Sequence, residues 1–233
     1  MIGQMECRAV IFDLFGTLVH ITPLADSYNG LKEMASVLLA PHEDFATSWH
    51  SMFTKRMTGE FKNYQDCIRH ICADLNVLVD EEQIELAAKT RFDMTRNELM
   101  TLHEGALDVL SHLRAKGCKT GLLSNCSFEV PRIWGETRLA PLIDVAVFSC
   151  SAGMMKPDPR IYGLVAGQLS VEPQDCLYIA DGIGQELAVA TQIGMHVIQI
   201  LVPGENGYDR YREKWNGPVI SSLTQIPGII DRQ

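Results

Sequence analysis

Two aspartates, a lysine and a serine–asparagine pair are the residues of this chain best placed to do chemistry, because each follows a short apolar run. Asp13 ends Ala9-Val10-Ile11-Phe12, and Asp181 ends Cys176-Leu177-Tyr178-Ile179-Ala180. Ser124-Asn125 closes the run that starts at Lys119, and Lys156 comes shortly after the run at 145–149. Runs of this length and composition read as buried strands. Parallel strands joined by right-handed crossovers bring all their C-terminal ends to one edge of a sheet, where ligands bind. Two carboxylates, one ammonium, one hydroxyl and one amide would then share a crevice. Two neighbouring acids repel unless a cation lies between them or one is protonated. An oxygen-ligated divalent ion such as Mg²⁺ suits the set, since it accepts carboxylates and leaves positions for water and substrate.

Each station also has an ordinary explanation. Asp13 can open a turn, Ser124 can cap a helix, Lys156 can be a surface lysine, and Asp181-Gly182 is a turn signal in its own right. Gly182-x-Gly184 lacks the third glycine of a dinucleotide fingerprint, since position 187 is Leu. The functional reading gains its weight from four polar stations after four consecutive strands.

The elements that must position these residues fall into two kinds. From residue 104 onward strands and helices alternate. A helix with Ala106, Val109, Leu110 and Leu113 ends at Lys116-Gly117. Asp158-Pro159 reads as the start of a helix carrying Ile161, Leu164, Val165 and Leu169. A helix follows Asp181 as far as Ile193-Gly194, and 197–202 is a further strand. Such alternation predicts a parallel sheet covered on both faces. Residues 23–98 differ, with helical spacing and no strong strand. Phe45, Trp49, Met52, Phe53 and Met57 fall on one predicted helix face. Ile68, Ile71, Cys72 and Leu75 repeat the spacing, and 84–91 is a third candidate. The expected organisation is an α/β core, residues 1–18 with 101–233, and an inserted all-helical unit at 19–100.

Composition narrows the function classes. The chain has 233 residues, 46% hydrophobic and 21% charged, and a formal net charge of −9. This is ordinary globular composition and excludes disorder, collagen and coiled coil. So acidic a surface disfavours nucleic acid and anionic membranes as partners. The helical block holds 13 acids against 8 bases, so it offers no basic patch. A small anionic substrate would need a local positive site. Seven cysteines at 7, 67, 72, 118, 126, 150 and 176 form no CxxC pair and read as thiols of a cytoplasmic protein. No apolar stretch approaches the 18 residues of a membrane span. The short polar segment 1–8 is not expected to be a signal peptide. Asn125-Cys126-Ser127 fits a glycosylation sequon, which carries little weight without a secretion signal. No residue pattern assigns an oligomeric state.

Taken together the motifs resemble the haloacid dehalogenase-like (HAD) hydrolase superfamily, helical-cap type. Phe12-Asp13-Leu14-Phe15-Gly16-Thr17-Leu18 is similar to its first motif and Leu122-Leu123-Ser124-Asn125 to its second. The segment from Lys156-Pro157 to Tyr162 is similar to the third, and that from Ala180-Asp181 to Glu186 to the fourth. The resemblance implies a Rossmann-like sheet with a mobile helical lid. It makes Asp13 the nucleophile and Lys156 the charge-balancing cation. Ser124, the Asn125 N–H, Lys156 and Leu14 become substrate-binding groups. Asp13, the Phe15 carbonyl and Asp181 become Mg²⁺ ligands, with Thr17 and Glu186 supporting from behind. Glu186 also has an ordinary role as an acid in a helix's first turn.

Family phosphatases carry an Asp two residues after the nucleophile, acting as general acid and then base. Here that position is Phe15, which cannot move a proton. An aromatic there is a feature of the family's 2-haloacid dehalogenases, whose halide leaves unprotonated. Against dehalogenation, those enzymes usually work without metal and replace the first acid of the fourth motif, and this chain keeps Asp181. They also carry a halide-binding Arg after an aromatic early in the cap, whereas Trp49 is followed by His50. His50 and Lys55-Arg56 could substitute for it, although the basic pair reads first as a solvated helix face. The leading expectation is a Mg²⁺-dependent phosphatase of small phosphorylated metabolites. The alternatives are a 2-haloacid dehalogenase and a non-catalytic anion-binding protein in which Phe15 marks lost activity.

Overall fold

A computed structural model describes residues 8–204 and 206–231. Cys7 therefore lies outside the described residues. Six strands form one sheet: β1 (Ala9–Phe12), β2 (Lys119–Ser124), β3 (Val145–Phe148), β4 (Cys176–Ala180), β5 (His196–Ile200) and β6 (Val219–Ile220). All neighbours pair in parallel, in the order β3-β2-β1-β4-β5-β6. The chain builds outward from β1 through β2 to β3, then returns to the other side of β1 with β4. That reversal puts the topological switch point at the C-terminal end of β1. The expected Rossmann-like α/β class is the observed one.

The pleat explains why β1 is apolar throughout. Val10 and Phe12 point into one core with Leu110, Leu122 and Ile179, while Ala9 and Ile11 point into a second core with Val165 and Tyr178. Both faces are covered, so no alternation of polar and apolar residues is required.

Five helices lie between β1 and β2: α1 (Leu24–Val37), α2 (His42–Ser51), α3 (Phe53–Met57), α4 (Tyr64–Asp74) and α5 (Glu81–Met100). Four of them, α1, α2, α4 and α5, share a third core built from Leu31, Met34, Phe45, Trp49, Ile68, Ile71 and Ile84. The two connections to the sheet run side by side. His20 N–H donates to the Thr101 carbonyl at 3.0 Å, and His103 N–H to that of Leu18 at 3.0 Å.

The remaining helices are α6 (Ala106–Ala115), α7 (Glu129–Ile133), α8 (Ser149–Ala152), α9 (Pro159–Leu169), α10 (Glu186–Gln192) and α11 (Ile226–Ile230). At α9 the expected cap is present, with the Asp158 carboxylate accepting the Arg160 N–H at 2.9 Å. No described helix is long and apolar enough to cross a membrane.

Three expectations are corrected. The face from Phe45 to Met57 is not one helix, because the chain breaks at Met52 (φ −84°, ψ 5°) between α2 and α3. The break turns Phe53 outward, leaving it 45% exposed, while Trp49 stays at 4%. Arg56 is not solvated. It is 5% exposed, its guanidinium carbon lies 4.2 Å from the Trp49 ring centroid, and its Nη1 donates to the Trp49 carbonyl at 2.5 Å. The stacked plane and the satisfied donor permit burial of an arginine. The third candidate helix is longer than 84–91, starting from an Asp80–Gln83 capping box and running to Met100.

Candidate active site

Strand register brings the stations together. Phe12 pairs with Leu122 of β2 and Ile179 of β4, so Asp13 leaves the sheet between the ends of both neighbours. Its N–H donates to the Ile179 carbonyl at 2.9 Å. One ligand oxygen from each of Asp13, Asp181 and Glu186 lies within 4.8 Å of the others, and all three side chains are buried. Three carboxylates this close need a bound proton or positive charge.

Lys156 supplies part of it. Its Nζ donates to Asp13 Oδ1 at 2.5 Å, to Glu186 Oε2 at 2.6 Å and to the Tyr178 hydroxyl at 3.1 Å. All three ammonium protons are thereby used. The Tyr178 hydroxyl in turn donates to Glu186 Oε2 at 2.7 Å, and the Gly182 N–H to Glu186 Oε1 at 3.0 Å. Both Glu186 oxygens are thus held by protein donors, and its contact with the cluster is directly to Lys156. Sequence reading missed Tyr178, since an aromatic in an apolar strand reads as core. Its signal was the one polar handle in that run.

Asn125 also acts through Lys156. Its amide accepts the Lys156 N–H at 2.8 Å and donates to the Lys156 carbonyl at 3.0 Å, clamping the loop after β2 to the loop that carries the lysine. Ser124, fully buried at the end of β2, caps no helix, and its Oγ has no hydrogen-bond partner. Thr17 Oγ1 donates to Asp13 Oδ2 at 3.3 Å. Leu14 buries its side chain in the core, and its N–H lies against the Asp13 carboxylate. Phe15 is half-buried and packs on the same core.

Burial raises the proton affinity of both aspartates. Asp13 is pushed up to about 6, with Lys156 pulling downward and Glu186 adding to the rise. Asp181 is pushed up to about 8 by burial and then by the carboxylates of Glu186 and Asp13. For Lys156 burial acts in the opposite sense, but the Asp13 and Glu186 carboxylates outweigh it and keep the ammonium charged.

The cluster meets the chemical requirements of a hard divalent cation. Asp181 is 1% exposed, with Oδ1 accepting the Ile183 N–H at 3.1 Å and Oδ2 buried without a hydrogen-bond partner. A buried carboxylate oxygen that accepts no hydrogen bond is costly unless a cation answers it, and the Arg212 guanidinium does so only from 3.6 Å. Gly16 keeps the space beside it open, since a Cβ there would sit 2.8 Å from that same oxygen.

Residues 7–194 match the family model of the haloacid dehalogenase-like hydrolases. The chain belongs to this hydrolase family. It is 40% identical over 207 residues to acyl-CoA dehydrogenase family member 10 of Mus musculus, a match covering 85% of this chain and 18% of that much longer protein. It is 30% identical over 232 residues to phosphatase MT3486 of Mycobacterium tuberculosis, covering 97% and 98% of the two chains. Among solved structures, a HAD family enzyme of Bacteroides thetaiotaomicron in complex with magnesium and inorganic phosphate superposes with a TM-score of 0.63 at 17% identity, over 90% of this chain and 97% of that one. At that identity the superposition shows a shared fold.

Proposed function

We propose that this hydrolase is a Mg²⁺-dependent phosphatase of small phosphorylated metabolites, with Asp13 as the nucleophile. The observation that carries the reading is the buried trio Asp13, Asp181 and Glu186, with an Asp181 oxygen that accepts no hydrogen bond. A metal-free dehalogenase handling a monoanion has no use for the Asp181 carboxylate. The relative named as a phosphatase, which the match spans almost end to end, and the magnesium–phosphate complex of the Bacteroides enzyme support the same choice.

In this reading an Asp13 oxygen attacks phosphorus, the ester P–O bond breaks, and water later cleaves the aspartyl phosphate to return the carboxylate. Asp13, Asp181 and the Phe15 carbonyl would hold Mg²⁺, which supplies positive charge to offset an incoming dianion. Lys156 and Thr17 keep Asp13 oriented, and Lys156 opposes the rise in proton affinity that burial imposes. Ser124 Oγ and the Asn125 N–H would bind the oxygens of the transferred group. Phe15 offers the leaving group no proton, so acyl and aryl phosphates should turn over faster than alkyl phosphates. Residues 1–18 with 101–233 form the catalytic core and 19–100 the lid over it. Buried thiols suit a reducing compartment such as the cytoplasm, and the net charge of −9 disfavours nucleic acid and membranes as partners.

The rival reading, dehalogenation of 2-haloacids, draws on Phe15 and on 24% identity over 245 residues to (S)-2-haloacid dehalogenase 1 of a Pseudomonas species. Arg56, the first arginine after Arg8, is packed inside the helical block with a donor committed to Trp49, which counts against halide capture. A panel of phosphate esters and 2-haloacids, each with Mg²⁺ and with EDTA, decides the matter. Phosphate release that needs Mg²⁺ and disappears in Asp13→Asn is expected. Halide release in EDTA without phosphate release would overturn the proposal.

A further inference from the structure

Lys156 answers two of the three buried carboxylates at hydrogen-bond distance, Asp13 and Glu186. The third, Asp181, has a cation of its own. Arg212 Nη2 lies 3.6 Å from Asp181 Oδ2, the same oxygen that has no hydrogen-bond partner. The Arg212 side chain is only 9% exposed, and its Nη1 is held by Asp209 at 2.6 Å. The separation from Asp181 is too long for a hydrogen bond but short enough for a strong charge interaction in a buried site.

The segment that delivers Arg212 is laced to the loop that carries Asp181. Arg212 bridges Ile183, the Gly184 N–H donates to the Tyr211 carbonyl at 3.3 Å, and the Glu213 N–H donates to the Gly182 carbonyl at 2.9 Å. The Glu213 carboxylate then accepts the N–H groups of Leu187 at 2.6 Å and Ala188 at 3.1 Å. Arg212 is therefore a fixed part of the cluster.

We propose that Arg212 is a resident counter-cation that competes with the divalent ion for Asp181, so that this arginine sets the metal affinity of the site. The inference rests on the reading of Asp181 as a metal ligand. The charges give it a direction. With all three carboxylates ionised, as metal binding requires, Lys156 and Arg212 leave one negative charge among the buried groups, Asp209 being 64% exposed, and a divalent ion turns that into one positive charge. A phosphoryl dianion reverses the excess again. Metal alone is thus disfavoured by Arg212, and metal together with an anion is favoured, so the two should load cooperatively.

The test is Mn²⁺ titration of the EDTA-treated full chain, with free Mn²⁺ read by EPR, in the absence and presence of inorganic phosphate. Arg212→Gln is expected to bind Mn²⁺ roughly tenfold more tightly, the scale of one partly screened charge interaction. Phosphate is expected to tighten Mn²⁺ binding more in wild type than in Arg212→Gln. Asp209→Asn, at a side chain 64% exposed, removes one competing carboxylate from Arg212 and is expected to weaken Mn²⁺ binding a few-fold. Equal or weaker binding in Arg212→Gln, or equal or tighter binding in Asp209→Asn, overturns the proposal. If neither wild type nor either variant binds Mn²⁺ with phosphate present, the metal reading itself fails and takes this inference with it.

Discussion

Asp13 and Lys156 form the innermost pair of the site, and neither is stable there alone. The ammonium sits against two carboxylates and one hydroxyl with almost no solvent contact. Removing it leaves Asp13 and Glu186 as uncompensated buried charges, which typically costs about 3–5 kcal/mol. Lys156→Met should therefore lower the denaturant midpoint strongly, and adding Glu186→Gln should recover part of the loss, because one of the stranded charges is gone. Equal stability of Lys156→Met and wild type would contradict the pairing. Phe15 makes a second residue-scale prediction. A positioned acid–base group contributes roughly 10²–10⁴ in rate, so Phe15→Asp should raise kcat on an alkyl phosphate in Mg²⁺ by about 10², with a much smaller change on an aryl phosphate whose leaving group needs no proton. The half-buried ring packs on the core, so the variant should also lose some stability, and a folded variant with no gain on the alkyl substrate would count against a phosphatase site.

At the scale of elements, the loops after the strands carry the chemistry, and their glycines can be told apart. Gly16 has φ +78° and a would-be Cβ 2.8 Å from Asp181 Oδ2, whereas Gly153 has φ +69° and open space around it. Gly153→Ala should cost only the backbone strain of a left-handed alanine, about 1–2 kcal/mol. Gly16→Ala adds a methyl group against the carboxylate oxygen assigned to the metal, so it should weaken Mn²⁺ binding as well as stability. Comparable metal affinities in the two variants would argue against that assignment. The strand ends were legible in sequence because buried parallel strands are short apolar runs, and a charge that ends such a run stands out. Asp13 and Asp181 stand out in that way, Ser124 as the polar end of its run, and Lys156 only as a charge in the loop that follows one. Tyr178 and Arg212 do not stand out, since one was masked by an apolar strand and the other lies in an irregular segment with no period to read. The break at Met52 escaped because spacing at i, i+4 and i+8 continues across it, and only the exposure of Phe53 reveals the change of direction. Arg56 was misplaced for the converse reason, since a charge next to Lys55 looks solvated until the Trp49 ring and carbonyl are seen to receive it.

For the molecule as a whole, the crowded carboxylates link folding to pH and to metal. Both aspartates start from an ordinary value of 3.8, but in the folded chain Asp13 is pushed up to about 6 and Asp181 to about 8, burial being the largest cause in each case. Between pH 4 and 8 the folded state therefore holds protons that the unfolded chain has released. Stability falls with rising pH wherever the native state binds the more protons, so these two groups destabilise the metal-free protein progressively from about pH 4 to about pH 8. Lys156 adds no slope in this window, because its affinity is raised above an already high 10.5 and it stays protonated in both states. A divalent ion binds the deprotonated carboxylates of the native state and so stabilises it most at the alkaline end. Denaturant unfolding in EDTA should give a lower midpoint at pH 8.5 than at pH 5.5. Saturating Mg²⁺ should raise the midpoint far more at pH 8.5 than at pH 5.5, and Asp181→Asn should flatten both dependences. A midpoint in EDTA that holds or rises from pH 5.5 to 8.5, with the same course in Asp181→Asn, would mean that Asp181 keeps its charge inside the folded chain without help, and that the cluster needs no ion to be stable.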